Sequence, residues 1–239
     1  EDKWVPMRSI LPLIKNVHQT PVVDGTGLKM TLEGQVTKVI NEDLGGYVKE
    51  KRALVAVALD RWGSAQAFLD DGYECIFGDV MFSLGLSAPI RTKKSLITLA
   101  NALLPVMSRL PFDWLYPTGK KQTQREPKFE KFFEWATVVA GDCHYLWKHM
   151  PEKLPGRVVV TNTTTPADQQ FFKAAGIKYL ITTTPVLDGR SFGTNMMEAA
   201  IIAALGKKDP IDYAHPDEHF KTMEQAIRQI PLRPQVMEF

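Results

Sequence analysis

The stretch ALVAVALDRWGSAQAFLDDGYECIFGD, residues 53–79, reads as strand, helix, strand, and it decides the fold. Residues 53–59 are continuously apolar and stop at Asp60. Residues 64–70 have helical spacing, and Gly72 stands where a helix ends. Residues 73–77 are apolar again apart from Glu74 and lead to Asp79. A continuous apolar run, rather than an alternating one, marks a strand buried on both faces. Two such strands joined through a helix pair in parallel.

Four further runs repeat the pattern. VMSRLPFD (106–113), ATVVAGD (136–142), GRVVVTN (156–162) and IKYLITT (177–183) carry the polar terminators Asp113, Asp142, Asn162 and Thr182. The predicted strands are 53–59, 73–77, 106–110, 137–141, 157–161 and 177–182. Helices are predicted over 7–17, 28–41, 64–70, 92–104, 128–135, 145–149, 166–175, 194–205 and 216–229, with a short strand at 21–24. The expected fold class is α/β: a doubly wound, mostly parallel Rossmann-like sheet with helices on both faces. If the third run is not a strand, a five-stranded flavodoxin-like sheet is the alternative. Residues 1–50 are expected to be the last part of an N-terminal α/β substrate domain and its linker, 51–206 the Rossmann-like domain, and 207–239 a tail with one weak helix. The chain opens at Glu1 directly into a helical pattern, so a preceding N-terminal part is expected.

Composition narrows the function classes. The 239 residues are 44% hydrophobic and 23% charged, with a formal net charge of +2. That balance does not point to nucleic acid or to an anionic membrane surface as a partner. The longest apolar stretch, MMEAAIIAAL, is interrupted by Glu198 and is too short to span a bilayer. Two cysteines, Cys75 and Cys143, fall in or just after core strands, which suits a reducing cytoplasm better than a disulfide framework. The expected partner is a small-molecule substrate, with a homo-oligomer possible in principle.

In parallel sheets ligands bind outside the carboxyl ends of the strands, so the terminators are the candidate site. The first turn reads ALDRWGSA, where a dinucleotide fold carries GxGxxG; Gly63 alone stands close to the helix start. Asp60 would repel a phosphate there and Arg61 would attract one. Asp79, at the end of the second run, is placed to bind the ribose hydroxyls of NAD in preference to the phosphate of NADP. Asp142 and His144 follow the fourth run two residues apart, a spacing that suits an acid/base pair. Asp60, Arg61, Gly63, Asp79 and Asp142 are therefore the expected cofactor side, and His144 a catalytic candidate. The segment 188–195 joins Arg190, Ser191, Thr194 and Asn195 to a helix start, a reasonable substrate-oxygen site. The irregular segment 111–127, with its aromatic stretch Phe112–Tyr116, is long enough to be functional.

The order of these pieces resembles the shikimate/quinate dehydrogenase family. Asp24-Gly25-Thr26-Gly27-Leu28 is similar to that family's NTDGxG segment, and Gly193-Thr194-Asn195-Met196-Met197-Glu198-Ala199-Ala200 to its final GxxMLxxQA helix. TPVVDGTGLK, RLPFDWLYPTGKKQ and DGRSFGTNMMEA resemble a group of prokaryotic proteins labelled quinate 5-dehydrogenase. The resemblance implies hydride transfer between NAD or NADP, NAD favoured, and a hydroxyl of a cyclic polyol acid such as quinate or shikimate. It implies that Asp24 is catalytic, moving the hydroxyl proton together with a Lys. The family's Lys lies in an NVTxPxK segment that this sequence does not contain; Lys29 is the nearest basic residue and joins the substrate side. Two other readings stay open: a Rossmann-like protein that binds another small ligand in the same crevice, and a metal-assisted hydrolase using Asp79, Asp142 and His144.

Overall fold

The computed structural model describes residues 11–109, 124–187, 190–209, 211, 215–230 and 232–239. Its centre is a six-stranded sheet. In chain order the strands are β1 (Arg52–Val55), β2 (Glu74–Phe77), β3 (Val138–Ala140), β4 (Val158–Thr161), β5 (Tyr179–Thr182) and, after a two-stranded hairpin of β6 (Val186–Leu187) and β7 (Arg190–Ser191), β8 (Gln235–Glu238). The sheet order is β2-β1-β3-β4-β5-β8. The first five strands are parallel, and β8 pairs antiparallel with β5, Ile181 opposite Val236.

The helices are α1 (Leu11–Ile14), α2 (Thr26–Glu33), α3 (Val36–Asp43), α4 (Trp62–Asp70), α5 (Asp79–Leu84), α6 (Lys93–Met107), α7 (Glu130–Trp135), α8 (Cys143–His149), α9 (Pro166–Ala175), α10 (Thr194–Ala204) and α11 (Asp217–Gln229). They cover both faces of the sheet, as the continuous apolar runs require. On one face Ala53, Val55, Val138, Val160 and Ile181 meet Val39 and Ile40 of α3 and Phe68 of α4. On the other Leu54, Ile76, Val139, Val159 and Leu180 meet Phe82, Phe133, Leu146 and Phe172. Neighbouring residues of one strand thus enter opposite cores, the period-two geometry of a strand. A third, smaller core joins Leu28 and Leu32 of α2 to Ile201, Ile202, Met223 and Ile227 of α10 and α11.

The third predicted strand does not form. Residues 106 and 107 are the end of α6, which runs through Pro105, and 108–109 are a turn; Leu110 and Asp113 lie outside the described residues. A proline near the end of a helix costs one main-chain bond and need not stop it there. Leu96, Leu99 and Leu103 carry the helical spacing up to that end, and the apolar run after the proline only continues it. The expected strand at 21–24 is irregular, and the expected helix 28–41 is two helices parted at Gly34-Gln35. The helix forecast over 216–229 is α11. β8 and the β6–β7 hairpin were not foreseen. Of the helix expected over 7–17, the described part is α1. The aromatic stretch Phe112–Tyr116 lies outside the described residues.

The segment that leads into α7 is anchored at the end of α8 far from the strand-end crevice. Arg125 donates to the carbonyls of Trp147 and Met150 at 3.0 and 2.6 Å, and its guanidinium lies over the Phe171 ring. His149 Nδ1 meets the carbonyl of Glu126 at 3.0 Å. The two Arg125 bonds satisfy main-chain acceptors that the end of a helix leaves open.

Candidate functional site

The crossover to β2 leaves β1 on one side and the connection to β3 leaves on the other, so the strand order reverses here. A reversal of this kind opens a crevice at the carboxyl ends of the strands. The turn that follows β1, residues 56–60, sits at its floor, and α2 lies across it.

Carboxylates already hold the donors of that turn. Asp79 accepts from the N–H groups of Ala58 and Leu59 at 3.1 and 2.9 Å, with only 4% of its surface exposed. Burial raises the Asp79 carboxyl to about 6 against the lowering pull of those main-chain N–H groups. Glu33, fully buried at the end of α2, accepts from the Ser64 N–H at 3.3 Å in the first turn of α4. Gly63 is glycine because α2 needs the room: a Cβ there would stand 2.8 Å from Glu33 Cβ and 3.0 Å from the Met30 carbonyl. The close backbone approach that a dinucleotide turn reserves for pyrophosphate serves helix docking instead.

Arg61 lies at the centre, buried among three carboxylates. Its Nη1 donates to Glu33 Oε1 at 2.9 Å and its Nη2 to Asp142 Oδ2 at 3.3 Å, while Nε is 3.5 Å from Asp60 Oδ2 with no hydrogen-bond acceptor. Burial opposes its charge, but Glu33, Asp60 and Asp142 outweigh burial and push its pKa above the ordinary value. Lys29 closes the network from α2, with Nζ 2.9 Å from Asp60 Oδ1. Burial would raise the Asp60 carboxyl, and Lys29 and Arg61 together bring it below its usual range.

Asp142 caps α8. Its Oδ1 accepts from the main-chain N–H of His144 at 2.9 Å, and its Oδ2 from Asn162 Nδ2 at 2.7 Å. The contact between Asp142 and His144 therefore runs through the backbone, and the His144 side chain is exposed. Asn162, at the end of β4, also accepts from the Cys143 N–H at 3.2 Å. Burial and the nearby Asp168 and Asp142 push the Cys143 thiol far above its ordinary pKa, and burial raises Cys75 to about 12.

The substrate-side residues meet in part. Gly25, at φ 86°, lies flat against the first turn of α10: a Cβ on it would be 2.5 Å from the Asn195 N and 2.9 Å from the Thr194 carbonyl carbon. The DGTG segment and the GTN segment are thus in contact. Asp24 is exposed and accepts from the Thr26 N–H at 2.9 Å. Ser191 Oγ accepts from the Thr164 N–H, which ties the hairpin to the end of β4. The Arg190 side chain lies outside the described part. Glu33 and the buried pairing of Glu198 with His219, at 2.9 Å, were not read from the sequence, and Asn162 was read only as the end of a run. Glu198 also accepts from the Leu28 N–H in the first turn of α2 at 2.6 Å. Among the described residues no group of three or more His, Cys, Asp or Glu is arranged to hold a metal ion, and no helix is long and apolar enough to cross a membrane.

A family model described as a domain of unknown function, DUF8754, matches residues 27–239. The chain belongs to the DUF8754 family. No curated protein and no solved structure matches it. The matched span of this DUF8754 member begins at Gly27, the second residue of α2, and takes in the rest of that helix, the whole sheet and the Arg61 network.

Raised by burial, Asp79 makes the stability of the protein depend on pH. A carboxyl whose folded pKa is about 6, against an ordinary value of 3.8, contributes stability that is complete below the unfolded value and is lost as pH rises through 6. The shift corresponds to about 3 kcal/mol. Urea unfolding of the wild type and Asp79→Asn at pH 4 to 7 tests this. The difference between them is expected to move in favour of the wild type by about 2 kcal/mol from pH 7 to pH 4, most of the full shift. A constant difference across the range would refute it.

Proposed function

We propose that the protein is a Rossmann-like, doubly wound ligand-binding domain whose strand-end crevice takes a small polar molecule, with no pyrophosphate across the turn between β1 and α4. The parallel order β2-β1-β3-β4-β5 is that of a flavodoxin-type sheet, the alternative left open by the sequence. One observation carries the reading: Asp79 and Glu33 occupy the main-chain donors of the turn and of the first turn of α4. Phosphate binding at such a turn depends on those same N–H groups. Three carboxylates stand against two cations in the network, so its sum is one negative charge, which repels a pyrophosphate. The part of the crevice left over is at the ends of β3 to β5, with Asp142, Asn162 and the start of α10. A cytoplasmic location goes with this reading, since Cys75 and Cys143 are both free and buried.

Isothermal titration of the protein with NAD, NADP and ADP-ribose tests it. No saturable heat is expected at millimolar nucleotide, and micromolar binding of any of the three overturns the reading.

A second reading is the oxidoreductase of the quinate/shikimate type. It is favoured by the packing of Gly25 on Thr194 and Asn195, which joins the two segments of the family resemblance. In that reading the carbon bearing a ring hydroxyl would give its hydride to bound NAD or NADP and become a carbonyl carbon, while the hydroxyl proton would pass to a carboxylate. Asp24 would take that part, with Lys29, paired to Asp60, as the nearest cation on α2. Reduction of NAD or NADP on addition of quinate or shikimate, lost in Asp24→Asn, would establish it.

A further inference from the structure

The outer face of α10 carries no charge. Its sequence, TNMMEAAIIAA, has one charged residue, Glu198, which is fully buried against His219 and the Leu28 N–H. Ile201 and Ile202 are buried with it. Met196, Ala199, Ala200 and Ala203 are exposed, at the i, i+3, i+4, i+7 spacing of a single helix face. Met196 is 52% exposed, and Leu205, just past the end of the helix, is 45% exposed. A helix that is apolar on both sides is normally covered on both. By contrast α3, α9 and α11 meet solvent with charges, among them Lys38, Lys173 and Arg228.

The pattern on this face is complementary to itself. Consider two copies of α10 lying antiparallel about a two-fold axis that passes between Ala199 and Ala200. Ala199 then stands opposite the partner's Ala200, and Met196 opposite the partner's Ala203. The large side chain meets the small one twice, as the symmetry of such a contact demands. The alanines let the helix axes approach to the near end of the usual ~8–10 Å. The charges beyond the two ends of the face are opposite in sign. Exposed Asp24 stands at the start of α10, because Gly25 packs on Thr194 and Asn195. Exposed Lys207, Lys208 and Asp209 follow its end and sum to one positive charge. Antiparallel apposition brings the acidic end of each copy to the basic end of the other, whereas a parallel one sets like charges together.

We infer that α10 is a self-association surface, on which a second copy of this chain packs its own α10 antiparallel. The inference goes beyond the ligand reading above and does not rest on it. A helix of eleven residues is about 16 Å long, so its face falls well short of the ~800 Å² per partner of a standard interface. The dimer is therefore a weak one, with dissociation expected in the tens of micromolar.

Sedimentation equilibrium of the full chain, from one to several hundred micromolar, tests this. The wild type is expected to pass from monomer to dimer over that range. Ala200→Glu and Ala200→Lys each set like charges together beside the two-fold axis and are expected to weaken the dimer at least tenfold. The position is exposed and both substitutes are good helix formers, so both variants are expected to fold. An equimolar mixture of the two is expected to regain the dimer, since opposite charges then meet across the axis. That recovery also shows that both variants are folded, and cover by a different partner would not produce it. Lys207→Glu with Lys208→Glu is expected to weaken the dimer severalfold by setting an acidic end against Asp24. A wild type that stays monomeric overturns the inference. So does a dimer indifferent to the Ala200 variants, a mixture that stays monomeric, or a dimer unchanged by the double Lys substitution. In a monomeric wild type, a lower Tm for Ala200→Glu would place the cover of α10 within the chain itself.

Discussion

Replacing Arg61 by methionine is expected to destabilise the protein by about 3–5 kcal/mol, the usual cost of leaving a buried charge without its partner. The charge left behind is Glu33, which has no exposed surface and whose Oε1 accepts from Arg61 at 2.9 Å. Asp60 and Asp142 lose their guanidinium contacts too, but they are partly exposed and keep Lys29 and Asn162 respectively. The damage is thus concentrated at one carboxylate, and a second change can mend it. Glu33→Leu with Arg61→Met is expected to recover most of the loss, because an apolar pair of similar volume often replaces a buried ion pair without penalty. Arg61→Lys is expected to recover little, since one ammonium lacks the fork that reaches Glu33 and Asp142 together. Chemical unfolding of the three variants measures this. A single variant as stable as the wild type would show that the network is not what binds α2 to the sheet.

Gly25→Ala is expected to cost about 3 kcal/mol, of which left-handed backbone in a residue with a Cβ accounts for about 1–2 kcal/mol. The rest comes from the added Cβ, which would sit 2.5 Å from the Asn195 N and 2.8 Å from its Cα. Both are backbone atoms of the first turn of α10, so no side-chain rotation relieves the contact, and α2 and α10 must separate. Gly45, also left-handed at φ 55° with nothing within 4 Å of a Cβ, is the control. Gly45→Ala is expected to show the backbone part alone. For a chain of this length a loss of 3 kcal/mol lowers Tm by about 6–12 °C. Equal shifts in the two variants would mean that the contact between Gly25 and Asn195 is not tight in solution.

The parallel strands were legible because burial on both faces leaves short, mainly apolar runs with their polar residues at the ends. The same signal misled at residues 106–110, where Val106 and Met107 belong to α6. β8 gave no signal. Its residues Gln235-Val236-Met237-Glu238 run exposed, intermediate, intermediate, exposed, as an edge strand can. In the site, the positions of Asp60, Asp79 and Asp142 could be read because each closes an apolar run, although the strands themselves stop two to five residues earlier, at Phe77 and Ala140 and at Val55. The partners of Asp79 could not, since they are main-chain N–H groups whose direction depends on how the turn folds. Glu33 could not be read either. It looks like a charged residue on an ordinary helix, and the cation that keeps it buried comes 28 residues later in the chain. Asn162 was noticed only as the end of a run, because its bonds to Asp142 and Cys143 cross from one strand end to the next.

The pairing of β8 with β5 has a consequence for biosynthesis. The last strand of the sheet in chain order, Gln235–Glu238, lies directly against Tyr179–Thr182. Until Gln235–Glu238 has been made, β5 is an edge with a row of open main-chain groups, the kind of edge through which chains aggregate. The emerging chain therefore cannot close this edge before β8 is out, and a stop ahead of Gln235 leaves it open for good.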